Sequence, residues 1–315
     1  MDRGPRETDG SSQVQLITWL LFVVAVLGLC TRLGTKYGMT SKFSSDDWLM
    51  LAALAAYLAQ CISISTAASN GLGKASISLT GQMIDGAIKA EYASVPFFIL
   101  TSALVKLSIF IAINQLSPNA LHRRLNLALG VVTALWYVPA TLTSIFQCAL
   151  PTPWDFINST RCINRNAWWT FVTVFNVATD LGIVALHILI LWHLHTLSSR
   201  KAVLVSVFSI RILVVAAAIV QLVTFYASFQ SDDTTTALYL PVALKQAVLS
   251  LSITTACIPY LKPFMESLES GMVRVENVLG SEEELSRDRT GSSGYYLSSH
   301  TGRSNNTRES GARDG

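Results

Sequence analysis

Seven stretches of roughly twenty mostly apolar residues, at 14–31, 48–67, 92–113, 125–146, 168–191, 203–226 and 238–259, constrain this chain more than anything else in it. A bilayer core of about 30 Å is crossed by about 20 apolar residues in a helix, whereas a spanning strand takes about ten and alternates in polarity. The runs are too long and too uniformly apolar for strands, and a helix satisfies its backbone groups internally where there is no water. Composition agrees, with 51% of the 315 residues hydrophobic and 14% charged. The expected fold is therefore an all-α membrane protein, a seven-transmembrane-helix bundle occupying residues 14–262. The first run is short enough to resemble a secretory signal. The leading MDRGPRETDG mixes acids with Arg3 and Arg6, and no small-residue cleavage pattern follows, so the run is read as a helix behind a tail of residues 1–13.

Lys and Arg in short loops set orientation. Alternate loops carry Arg32, Lys36, Lys42, Arg123, Arg124, Arg200 and Lys201; the opposite loops carry Lys74, Lys89, Arg161 and Arg165. The richer side is expected to be the cytoplasm, with the N-terminus outside and the C-terminus cytoplasmic. The loop QCALPTPWDFINSTRCINRN then lies outside. On an oxidising face Cys148 and Cys162 are expected to pair, and Asn158 in Asn158-Ser159-Thr160 to accept glycan. Cys30, Cys61 and Cys257 fall inside apolar runs and read as packing residues.

In SSDDW, the hydroxyls of Ser44 and Ser45 and the carboxylates of Asp46 and Asp47 suit the exposed N–H groups and positive dipole of a helix start. Capping is the favoured reading there, contact with basic loops the alternative. NGLGK, at 70–74, reads as a turn, since its spacing fails the phosphate-loop pattern.

SSDDWLMLAAL, NGLGK, KLSIF, QCALPTPWDF with Cys162, NVATD, FSIRIL and ACIPYLKPFMESLESGM fall in order over about residues 16–275. Together they resemble the fungal rhodopsin-domain integral membrane proteins. The resemblance implies seven helices, and kinship with receptor-like proteins proposed to sense host surfaces and with membrane proteins of secondary-metabolite clusters. Two positions depart from that pattern. His187 stands where a proline commonly follows the Asp-bearing stretch, and Lys245 near where many relatives carry an acid.

Four charges are read inside the runs: Lys106, Asp180, Arg211 and Lys245. Each costs a few kcal/mol on insertion scales and seeks a partner or a cavity. With alternating helix directions, Lys106, Asp180 and Arg211 come to depths within about 6 Å of one another, and Asn176 shares a helix face with Asp180. The expectation is a polar knot between helices 3, 5 and 6, either a structural lock in which Asp180 fixes packing while Lys106 and Arg211 snorkel toward the cytoplasm, or an intramembrane switch or a ligand- or ion-binding core. Lys245 in the seventh helix suggests a retinal Schiff base, but a protonated Schiff base needs a carboxylate, and the third run contains none. Asp180 is read as the sole carboxylate well inside a helix, and no cofactor is expected.

A receptor-like sensor of an unknown small-molecule ligand is the leading reading. The alternatives are a small-molecule or ion transporter or facilitator, for which no internal repeat is visible, and a metal-dependent membrane hydrolase using Asp180, His187, His193 and His195. His193 and His195, two apart on a helix, point in different directions, so an enzyme is the weaker reading and no metal site is assigned. Residues 263–280 are expected to form a short interfacial amphipathic helix and 281–315 a disordered cytoplasmic tail. The expected setting is the plasma membrane, with the lipid bilayer and a cytoplasmic signalling protein as partners, and no nucleic acid.

Overall fold

The computed structural model describes residues 10–40, 43–74, 79–116, 119–149, 151–154, 162–192, 198–228 and 237–260. Asn158, the segment 263–280 and the tail 281–315 lie outside the described residues. Seven helices are long and apolar enough to cross a membrane: α1 (Gly10–Thr40), α2 (Ser45–Ser69), α3 (Gly81–Leu116), α4 (Ala120–Ile145), α5 (Arg165–Trp192), α6 (Ser198–Ser228) and α7 (Tyr239–Tyr260). No strand longer than an isolated bridge occurs among the described residues. The helices run past the apolar stretches that mark them, most of all α3, whose helical path begins at Gly81.

Local chemistry explains where several helices start. The Asp47 carboxylate accepts the Ser44 N–H at 3.0 Å, closing the first turn of α2. The Asn119 side chain accepts from Leu121 N–H at 3.0 Å before α4, and Asn164 does the same for Ala167 at 3.2 Å before α5. In NGLGK, Gly71 and Gly73 hold φ of 97° and 91°, a conformation that favours glycine, and the Gly73 backbone passes so close to Gly10 that a Cβ on Gly10 would lie 2.6 Å from the Gly73 carbonyl oxygen. The first turn of α1 and the α2–α3 turn are thereby pressed together.

The exterior, more than the core, departs from that of a water-soluble protein. Leu16, Leu20 and Leu27 of α1, Leu127, Leu135 and Val138 of α4, and Leu213 and Val223 of α6 are exposed, as lipid-facing residues should be. The polar and charged residues are inside: Arg32, Asp46, Glu91, Lys106, Asp180, Arg211 and Lys245 are all buried. α7 is the innermost helix, with 72% of its apolar window buried against 22% for α1. It is tied to α1 by Ser250, which donates to Leu21 O at 2.9 Å, and to α2 by Tyr57, which donates to Gln246 O at 3.3 Å. Many hydroxyls of helical Ser and Thr, such as Thr133, Thr141 and Thr254, donate back to the carbonyl four residues earlier and so are not left unpaired in the apolar setting.

Between α4 and α5, Cys148 and Cys162 form a disulfide, flanked by a bridge in which Ile163 N–H donates to Gln147 O at 2.9 Å. Trp168 Nε1 donates to Thr143 Oγ1 at 2.8 Å and fastens the following helix to α4. This end of the bundle is called the disulfide end below, and the opposite end, where α2 begins, the Asp46 end.

Candidate functional site

Three buried clusters of charge connect the helices, and α3 contributes to each. Nearest the disulfide end, Glu91 of α3 receives Lys245 Nζ of α7 at 2.6 Å, and Arg165 Nη2 of α5 lies 3.7 Å from its other oxygen. Lys245 Nζ also stands 4.7 Å over the ring of Trp169. Trp169 packs in turn against Phe98 and Phe225, with centroids 6.1 and 5.3 Å away. The amides of Gln60 and Gln246 converge on Cys61, each with Oε1 within 4.0 Å of its Sγ, and each Nε2 is buried without a hydrogen-bond partner among the described residues.

This arrangement corrects the sequence reading at two points. Lys245 has a carboxylate partner from helix 3, and Asp180 is not the sole carboxylate well inside a helix. Glu91 sits one residue before the apolar run, so a boundary drawn by hydropathy excluded it; the helix begins ten residues earlier, at Gly81. The counterion argument against a pigment falls with that boundary. A signal was present: 91, 95, 98, 102 and 106 follow the i, i+4, i+7 spacing of one helical face, so Glu91 extends the stripe on which Ser102 and Lys106 lie.

The middle cluster joins α3, α4, α5 and α6. Arg211 Nη2 donates to Asp180 Oδ1 at 2.8 Å, and Lys106 Nζ lies 3.4 Å from the same oxygen. The shorter contacts of Lys106 are to neutral acceptors: Asn176 O and Oδ1, both at 2.7 Å, and Thr179 Oγ1 at 2.6 Å. Asn176 Oδ1 further accepts from Ser102 at 3.0 Å and Tyr137 at 3.3 Å, so Asn176 is the hub of this layer. The structure thus brings together Lys106, Asn176, Asp180 and Arg211, and holds Lys245 in a separate cluster. His187, two turns beyond Asp180, has Nδ1 2.7 Å from Ile183 O. His193 and His195 lie outside the described residues, and no group of three metal-ligating side chains occurs among those described.

The third cluster caps the Asp46 end. Arg32 Nη2 donates to Asp46 Oδ2 at 2.5 Å, Lys36 Nζ reaches Asp46 Oδ1 at 2.9 Å and Asp47 Oδ2 at 2.8 Å, and Tyr260 OH donates to Asp46 Oδ2 at 3.2 Å. Ser108 of α3 donates to the Asp46 carbonyl at 2.9 Å, and Arg32 Nη1 to Ala256 O of α7 at 2.7 Å. The two aspartates divide the roles that sequence offered as alternatives: Asp47 caps α2, and Asp46 is the acceptor around which α1, α2, α3 and α7 meet. Arg32 and Lys36, counted in the sequence as loop charges, are helical because α1 continues to Thr40.

Compared with known proteins, residues 31–267 match the family model of the fungal rhodopsin domain. A curated relative, the polyenoic acids biosynthesis gene cluster protein Ba17b of Metarhizium anisopliae, is 24% identical over 193 residues, covering 59% of this chain and 52% of its own length. The chain spans about half the length of the curated relative it matches.

Proposed function

The chain belongs to the fungal rhodopsin domain family, and from that premise we propose that it is a receptor-like sensor of the plasma membrane, with its disulfide end outside the cell and its C-terminal tail in the cytoplasm. The observation that carries this reading is the passage of α3 through all three charge clusters. Glu91 bonds Lys245 near one end, and Ser108, 17 residues on and thus about 25 Å along the helix, bonds the Asp46 carbonyl near the other. A ligand that alters the first contact acts on one continuous helix, broken in its backbone hydrogen bonding only at Pro96, whose other end is held by a second set of charges, the arrangement a two-state switch needs.

The chemistry of the first contact suggests the ligand class. A carboxylate competes with Glu91 for Lys245, and Trp169, Phe98 and Phe225 offer an apolar wall beside it. The relative's name concerns polyenoic acids, which join a carboxylate to an unsaturated chain, and we assign an acid of this kind to the site. Hydrogen exchange of the full chain in phosphatidylcholine nanodiscs, with and without a conjugated polyenoic fatty acid, tests the reading. The expected result is altered exchange around 91 and 245 and also at 32–50, with half-saturation shifted at least about tenfold by Lys245→Gln. If proteoliposomes accumulate the acid and exchange at 32–50 does not change, the protein is a transporter. No response at either end removes the acid as ligand.

Orientation has its own test. Made in a eukaryotic secretory pathway, the chain is expected to carry glycan on Asn158 and none on Asn305, which heads the matching Asn305-Asn306-Thr307. Mass-spectrometric mapping of glycan to Asn305 with Asn158 bare would invert the topology.

A further inference from the structure

We propose that the layer between α3, α5 and α6 binds one small monovalent anion, held by Arg211 opposite Asp180. This site is separate from the Lys245–Glu91 contact and does not depend on the receptor reading. The starting point is how the charges are spent. Lys106 makes three contacts of 2.6–2.7 Å to Asn176 O, Asn176 Oδ1 and Thr179 Oγ1. Three short contacts match the three N–H groups of an ammonium, whereas a neutral amine has only two. Its charge is solvated by neutral dipoles, leaving Asp180 to Arg211.

Arg211 uses little of what it has. It gives Asp180 a single contact, Nη2 to Oδ1 at 2.8 Å, in place of the two-bond fork that guanidinium and carboxylate favour. Its Nε and Nη1 and the Asp180 Oδ2 have no hydrogen-bond partner among the described residues, although Arg211 is 2% and Asp180 1% exposed. Two cations therefore face one carboxylate in a layer closed to bulk water. Across α3, the Asp46 cluster balances: Arg32 and Lys36 against Asp46 and Asp47. The Glu91 cluster also sets two cations, Lys245 and Arg165, against one carboxylate, but Arg165 there is 9% exposed, whereas both cations of the Arg211 layer are 2% exposed. A guanidinium does not shed its proton in proteins, and an uncompensated cation at this depth is expensive. An anion lying against Nη1 would satisfy that donor and cancel the surplus, Nε pointing to the other edge of the guanidinium. One charge fixes the valence, and because Tyr137, Thr179 and Ser102 around the layer are buried, the smallest monovalent anions, halides and formate, are the probes. A bound water would fill that donor and leave the charge.

Those outcomes separate in a measurement on the full-length protein in phosphatidylcholine nanodiscs. Sodium gluconate, a bulky reference anion, is replaced stepwise by chloride, bromide or formate at constant ionic strength and pH, and the melting temperature is followed by tryptophan fluorescence. The expected result is a saturable rise of roughly 5 °C with chloride and bromide; the formate arm shows whether a carboxylate is accepted as well. Arg211→Gln is expected to abolish the rise, and Lys36→Gln, in the balanced cluster, to keep it. Asp180→Asn is expected to lower the chloride concentration at half-saturation at least about tenfold, because it removes the competing negative charge. A role that is only structural moves none of these half-saturations. Identical melting in chloride and gluconate, a rise that survives Arg211→Gln, or a weaker chloride response in Asp180→Asn overturns the proposal. Should Arg211→Gln fail to fold, radioactive chloride binding to the wild-type protein decides, and the lack of saturable binding is equally fatal.

Discussion

Asp46→Asn is expected to be the most damaging single substitution in the described part of the chain. Breaking a buried pair from one side costs about 3 to 5 kcal/mol in soluble proteins, because the partner's charge is stranded. Asp46 strands more than one. It is fully buried and takes Arg32 at 2.5 Å, Lys36 at 2.9 Å and the Tyr260 hydroxyl at 3.2 Å. Without it, Arg32, itself 1% exposed, keeps the Ala256 carbonyl and Asp47 at 3.6 Å. The loss should fall on the low side of the soluble range if water enters from the nearby bundle end. Asp47→Asn is expected to cost about half as much, since an asparagine oxygen still accepts the Ser44 N–H and preserves the cap. Equilibrium unfolding in detergent, monitored by helical circular dichroism, compares the two. A loss of under about 1 kcal/mol for Asp46→Asn would mean that Arg32 finds another anion or water and that the cluster does not hold the helices together.

The second large effect concerns the division of labour in the middle layer. Asp180→Asn combined with Arg211→Met should show strong coupling, about 1 to 3 kcal/mol in a double-mutant cycle, because each strands the other at 2.8 Å. Asp180→Asn combined with Lys106→Met should show weaker coupling, because Lys106 lies at 3.4 Å from Asp180 and spends its shorter bonds on Asn176 and Thr179. Asn176→Leu is then expected to destabilise about as much as Asp180→Asn, since it leaves Lys106, Ser102 and Tyr137 without their shared acceptor. Urea unfolding of the six variants in one detergent, at one chloride concentration, provides all the terms. Coupling of Asp180 to Lys106 as strong as to Arg211 would refute this division.

The helix count was legible because hydropathy reports what touches lipid, and α1, α4 and α6 expose leucines and valines such as Leu20, Leu135 and Val223. The meeting of Asp180 with Lys106 and Arg211 was legible as well, since depth along a helix follows from counting residues. Hydropathy was blind to charge buried against protein. Glu91, Arg32 and Arg165 each lie just outside an apolar run, where they resemble loop charges; they are helical and interior because partners on other helices offset their desolvation. Helical phase, continued past the apolar boundary, is the signal that finds Glu91. Nothing comparable in the sequence pairs Arg32 with Asp46, whose contact depends on how α1 leans against α2. Asn176 was placed on the right face and underrated, because a neutral side chain does not register as a charge to be matched.

The ammonium of Lys245, 4.7 Å above the indole of Trp169, gives the molecule an optical property. Indole emission responds to the local electric field, and a positive charge held over the ring is a strong local source of field. Trp169 is 1% exposed, so solvent contributes little to its spectrum. Any event that draws Lys245 from its place, whether a ligand, a change in lipid or a substitution at Glu91, is written into the colour of one tryptophan, and the state of the innermost helix can be followed in unlabelled protein.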